Sequence, residues 1–120
     1  MSLAHRDLAA GRWNELSLLE QLGHVGSEVE RACKWKEKNN PDYCRRAVER
    51  ALELLDLTLA CPKHRFRLRE IARTREALVD FFYGDNQYRT SHEQLSRYFL
   101  PFAVAVHRAR VGVGSDLPSR

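Results

Sequence analysis

No stretch of this sequence comes near the ~20 consecutive apolar residues that cross a bilayer, which excludes a helical membrane span. The opening residues, Met1-Ser2-Leu3-Ala4-His5-Arg6-Asp7, lack the apolar segment of a secretory signal. Cysteine is scarce, and the three present (Cys33, Cys44, Cys61) form an odd set without a C-x-x-C pair. That argues against both a disulfide framework and a thiolate zinc site, and it makes the reducing cytoplasm the expected setting. The five histidines (His5, His24, His64, His92, His107) show neither His-x-x-x-His nor Glu-x-x-His spacing. No metal or other cofactor is therefore expected. Strand-like alternation and internal repeats are also missing.

What is present suits one globular domain. The chain has 120 residues, of which 43% are apolar and 30% charged, a balance far from the disordered class. Charge is uneven. Residues 1–60 hold 9 Lys/Arg and 10 Asp/Glu, a net −1, whereas residues 61–120 hold 11 and 6, a net +5. A basic half can attract a nucleic-acid backbone, but the overall +4 is modest and a solvated surface accounts for it.

Helical periodicity dominates. From about Arg12 to Lys38, the residues Leu18, Leu22, Val25, Val29, Ala32 and Lys36 recur at spacings of four and three, along one face of a helix roughly 40 Å long. Gly23 and Gly26 lie beside this stripe. Each costs about 1 kcal/mol of helix propensity relative to Ala, a cost that close approach of a neighbouring helix would offset. Asn39-Asn40-Pro41-Asp42 stops the first helix and starts a second, about Pro41 to Ala60, that returns antiparallel. Cys61-Pro62 breaks it. A third helix, roughly His64 to Tyr83, is followed by the turn-rich Gly84-Asp85-Asn86-Gln87-Tyr88. Thr90 with Glu93, or Ser91 with Gln94, forms a capping box for a fourth helix reaching about Arg110, with a kink at Pro101. The expected fold is all-α: a four-helix antiparallel bundle over residues 12–110, an N-terminal arm at 1–11 and a disordered tail at 111–120. Leu22, Val29, Leu55, Ile71, Leu78, Phe99 and Phe102 are the expected core.

Four groups of residues could carry function. Trp13, His24, Arg31 and Trp35 fall opposite the core stripe of the first helix, where large aromatics suggest an interface. Arg75 interrupts the stripe Leu68-Ile71-Arg75-Leu78-Phe82, so a buried ion pair is a natural expectation, with Glu15 the first choice of partner and an acid of the second helix the next. Arg65, Arg69 and Arg73 recur every four residues, a ridge able to bind phosphate. Asn86, Arg89 and His92 form a polar loop cluster.

Two family resemblances bear on these. Glu53-Leu54-Leu55-Asp56 resembles the E-x-x-D half of the MazG-like all-α nucleotide pyrophosphohydrolases, whose other half is E-x-x-E; here Glu28 and Glu30 stand two apart. The resemblance implies Mg²⁺-dependent nucleotide hydrolysis. The segment Gly84 to His92, in a small helical bundle, resembles the HEPN superfamily and its R-x(4–6)-H motif. Arg89 precedes His92 by three, and Asn86 occupies the family spacing. That likeness implies RNA association or partnership with a nucleotidyltransferase, usually as a dimer. The residues themselves point to a non-catalytic interaction module that pairs with itself, with another protein as a further possible partner and no membrane.

Overall fold

The computed structural model describes residues 11–111. It is all-α, with no strand among the described residues. Residues 11–13 are helical and a turn follows at 14–16. The main elements are α1 (Leu18–Glu37), α2 (Pro41–Ala60), a 3-10 helix (Pro62–Arg67), α3 (Leu68–Tyr83) and α4 (His92–Val111). None of these helices is long and apolar enough to cross a membrane. The arm expected at 1–11 and the tail expected at 111–120 lie almost wholly outside the described residues.

The first helix starts later than the apolar periodicity suggests. Ser17 caps α1 in a reciprocal box: its Oγ accepts from the Glu20 N–H (3.1 Å), and Glu20 Oε1 accepts from the Ser17 N–H (3.0 Å). The box satisfies N–H groups that the first turn would otherwise leave unpaired. It also frees residues 11–16 to fold back over the molecule. The α1–α2 link is as short as expected. Asn39 takes the left-handed conformation (φ 60°), Asn40 Oδ1 accepts from the Tyr43 N–H at 3.1 Å, and Pro41 fills the first turn. The third helix is shortened: the segment after Cys61 is 3-10 up to Arg67, and α3 proper begins at Leu68. For α4 the box is Ser91 with Gln94, the Ser91 N–H donating at 2.9 Å and the Ser91 Oγ accepting at 3.1 Å. The helix runs through Pro101 without interruption.

The core lies where the stripes of α1, α2, α3 and α4 meet. Leu22, Val25, Val29, Leu55, Ile71 and Leu78 are each 2% exposed or less, with Leu95 and Phe99 beside them. Each such side chain contributes about 1.5–3 kcal/mol through burial. Phe102, expected in this set, is only partly buried, and Leu68, at the start of α3, is exposed. The two glycines of α1 are explained by α4. A Cβ on Gly23 would meet the Val106 side chain and the Phe102 carbonyl (2.6 Å), and one on Gly26 would meet the Phe99 Cβ at 2.8 Å. Helix α4 thus packs chiefly on α1. Its link to α3 runs through the Tyr98 hydroxyl, which donates to Glu70 Oε2 at 3.0 Å and lies 3.3 Å from Thr74 Oγ1.

Candidate functional site

The residues singled out by sequence separate into different surroundings. Trp13 is not on an outward face. Because α1 begins only at Leu18, Trp13 sits on the folded-back segment, 8% exposed, and its Nε1–H donates to Thr58 Oγ1 at 3.0 Å. His24 packs against it, ring centroids 5.8 Å apart. The four-residue interface expected on the first helix is therefore divided. Trp13 and His24 close an intramolecular contact, while Arg31 and Trp35 stay together further along α1.

That contact belongs to a buried polar network that the sequence does not announce. Gln21 is 0% exposed. Its amide NH₂ donates to the Trp13 carbonyl (2.8 Å) and the Leu16 carbonyl (3.3 Å), and its Oε1 faces His64 Nε2 at 3.0 Å. Since Gln21 donates with its nitrogen, its oxygen must accept, which fixes the proton on His64 Nε2. Burial, with Lys63 and Arg67 adding repulsion, lowers the His64 pKa and favours that neutral ring. The network welds residues 13–16, α1, α2 and the 3-10 helix. It is structural: each of its members is satisfied from within.

Arg75 pairs with Asp56 of α2, the second choice of partner, and not with Glu15. Its Nε donates to Asp56 Oδ1 at 2.8 Å, with the two side chains 35% and 57% exposed. Glu15 lies in the turn at 14–16, exposed, where the break before α1 places it. The expected buried pair is thus a surface pair. The basic ridge is likewise interrupted. Arg65 sits in the 3-10 helix with its guanidinium 5.1 Å from the Phe66 ring, so the four-residue spacing aligns only Arg69 and Arg73, both exposed on α3.

The loop cluster is also divided. Asn86, in the left-handed conformation (φ 53°), is bound to Thr90 from both ends of its amide, Nδ2 donating to the carbonyl at 2.8 Å and Oδ1 accepting from the N–H at 2.9 Å. Arg89 is exposed, with φ 54°. His92 turns the other way, between two carboxylates of α1: Nδ1 lies 2.6 Å from Glu37 Oε2 and Nε2 lies 2.8 Å from Glu30 Oε2. Two acceptors on opposite ring nitrogens are both satisfied only by the imidazolium. The hydrogen bonds it donates to Glu30 and Glu37 accordingly raise the His92 pKa. Burial pulls the Glu30 carboxyl upward, but hydrogen bonds from His92 and Ser96 (2.9 Å) hold it below the usual carboxylate range. This bracket ties the start of α4 to α1. The carboxylates face opposite sides of the ring, and among the described residues no group of three His, Cys, Asp or Glu side chains is placed to hold a metal ion. Of the acids in the pyrophosphohydrolase-like pattern, Glu28 pairs with Arg31 and Asp56 with Arg75.

Two surfaces are not explained by the fold. One is the outer side of α4. From Phe99 to Val106 every residue is apolar, and a helix that is apolar all round is normally enclosed. Here Phe99 is buried, but Leu100 is 61% and Val104 42% exposed, with Pro101 and Ala103 exposed beside them. The surface continues into a groove of about 370 Å³ between α4 and α1, lined by Gly26, Ser27, Glu30, Ser96, Leu100 and Ala103. The other is a groove of about 400 Å³ between α1 and α2 that contains Arg31 and Trp35. Comparison with protein-family models, curated proteins and solved structures found no match to this chain.

Proposed function

We propose that this chain is a non-catalytic helical module, its four main helices arranged as an antiparallel bundle, that assembles as a homodimer through the outer side of α4. The observation that carries this reading is the exposure of Leu100 and Val104 within an uninterrupted apolar run. A contiguous apolar surface of this kind marks a site that another protein covers. A twofold pairing is the simplest closed assembly, and it must bury about 1,000 Å² or more to be specific. Gly23 and Gly26 do not form this seam, since α4 of the same chain already fills the space above them.

Light scattering tests the proposal. The wild type should give twice the chain mass of 14.0 kDa, and Leu100→Glu should return it to the single mass without loss of helix content. A wild type that stays monomeric at high micromolar concentration rejects the homodimer. One observation then favours a second reading. Arg97 and Arg108, both exposed, bracket Leu100 and Val104 at helical spacings of three and four, and neither has a carboxylate partner among the described residues. Such an arrangement suits an acidic amphipathic helix of another protein. Loss of binding of such a peptide in Leu100→Glu would support it.

A further inference from the structure

The groove that holds Arg31 and Trp35, between α1 and α2, brings aromatic rings and arginines together. Its aromatic part is Trp35 and Tyr43, which meet edge to face with ring centroids 4.7 Å apart. Its charged part is Arg31 from α1 and Arg46 and Arg50 from α2, with Glu28 the one carboxylate lining it. Glu28 is already engaged: Arg31 Nη1 lies 3.2 Å from its Oε1. That leaves Arg46 and Arg50, and among the described residues neither has a carboxylate within ion-pair distance. They stand one helical turn apart on the same side of α2, where like charges repel and lower helix stability. The fold gains nothing from that pair. An anion seated between the two guanidiniums would reverse the sign of the interaction, and planar guanidinium forks match phosphate oxygens in geometry as well as charge.

The rings narrow the ligand class. Each already carries a cation over one face, Lys38 Nζ 5.4 Å from the Trp35 centroid and the Arg46 guanidinium 5.5 Å from that of Tyr43. These contacts show that the π-faces can be reached by a flat or cationic group. A planar heterocycle can take the place of these cations on the rings, and the displaced Arg46 then joins Arg50 on a phosphate. The groove, about 400 Å³, is open to solvent and mainly polar, so it suits a charged ligand lying along it rather than one enclosed. We infer that the α1–α2 groove binds a nucleoside phosphate, with Arg46 and Arg50 on the phosphate, Arg31 held ready by Glu28 at its edge, and Trp35 and Tyr43 against the base. The inference does not depend on how α4 is covered.

Calorimetric titration of the full chain with ATP, inorganic pyrophosphate and adenosine tests it. Saturable ATP binding is expected, weakening as salt rises. Arg46→Ala and Arg50→Ala should each weaken it about tenfold or more, the size expected for losing one charge-assisted contact. Trp35→Leu should weaken ATP but leave pyrophosphate unchanged. The paired substitution Arg69→Ala with Arg73→Ala, on exposed α3 positions outside the groove, should leave ATP binding within about twofold. All four positions are solvent-facing arginines, so retained helix content by circular dichroism separates lost binding from lost fold. The inference is overturned by absence of saturable ATP binding at millimolar concentration. It is equally overturned if Arg69→Ala with Arg73→Ala abolishes binding while Arg46→Ala does not. Pyrophosphate binding as tightly as ATP, or adenosine binding as tightly as ATP, would also reject a nucleoside phosphate as the ligand.

Discussion

Replacing Gln21 by Leu tests whether the buried polar network holds residues 11–16 to the rest of the molecule. Leu matches Gln in size, so the change removes hydrogen bonding with little cavity. The Gln21 amide gives up its bonds to the Trp13 carbonyl (2.8 Å), the Leu16 carbonyl (3.3 Å) and Cys61 Sγ (3.9 Å), and the His64 Nε2–H (3.0 Å) loses its acceptor. The Leu16 bond is long and only partly buried, the Cys61 contact is weak, and the Trp13 carbonyl keeps the Leu16 N–H at 3.0 Å. These losses together cost about 0.5–1.5 kcal/mol, the net worth of one ordinary bond. The His64 Nε2–H is orphaned in the interior, where such a group costs about 1–3 kcal/mol. The apolar gain of Leu in a site that is 0% exposed returns roughly 1 kcal/mol. A net loss of about 1–3 kcal/mol is expected, a sizeable part of the 5–15 kcal/mol typical of a whole domain. Urea unfolding followed by circular dichroism measures it. If the segment detaches instead of the domain unfolding, the loss is smaller, and Trp13 emission shifts to the red as the indole leaves Thr58 for water. A change below about 0.5 kcal/mol with Trp emission unmoved would refute the account of Gln21.

The remaining predictions concern the core, the helix crossing and pH. Leu55→Ala should cost about 2–5 kcal/mol in thermal or urea melts, because Leu55 is 0% exposed at the centre of the core. Gly23→Ala, which in an open helix would stabilise by about 1 kcal/mol, should here destabilise by about 1–3 kcal/mol, since the added Cβ meets the Phe102 carbonyl at 2.6 Å. Stability should depend on pH in two opposite ways near 6.5. His64 has a lowered pKa in the fold, so its contribution is complete above 6.5 and is lost as pH falls through its folded value. His92 has a raised pKa, so its contribution is complete below 6.5 and is lost as pH rises through its folded value. Urea midpoints across pH 5 to 8 should therefore lose the alkaline decline in His92→Ala and keep the acid one; an alkaline decline that survives in His92→Ala would contradict the Glu30–His92–Glu37 bracket.

Much of the architecture was legible because it rests on local rules. The 3.6-residue spacing of Leu22, Val25 and Val29 fixes the buried side of α1 whatever it packs against. Asn39-Asn40-Pro41 ends one helix and caps the next through groups within three residues of each other. The Ser91–Gln94 box is local in the same sense. The start of α1 was legible too, in Ser17-Leu18-Leu19-Glu20, a capping-box signature that the apolar stripe obscured. Missing it carried Trp13 onto the wrong face, since every residue before a helix break loses its helical phase.

What the sequence could not decide is which distant groups meet. Gln21 and His64 are 43 positions apart, and a glutamine on a helix reads as surface until its partners are in place. Arg75 had acids available on two helices. The crossing of α2 and α3 placed Asp56 within reach, while the turn at 14–16 carried Glu15 elsewhere. His92 became a doubly bound imidazolium only because α4 begins beside Glu30 and Glu37. The sequence by itself determined the helical class, the α1–α2 link, the α4 cap and most of the core, because these depend on neighbours a turn or two away. Tertiary structure alone decided the polar pairs, the exposed side of α4 and the arginine-lined groove, because those depend on the relative placement of helices, which apolar packing sets with no regard to the charges carried along.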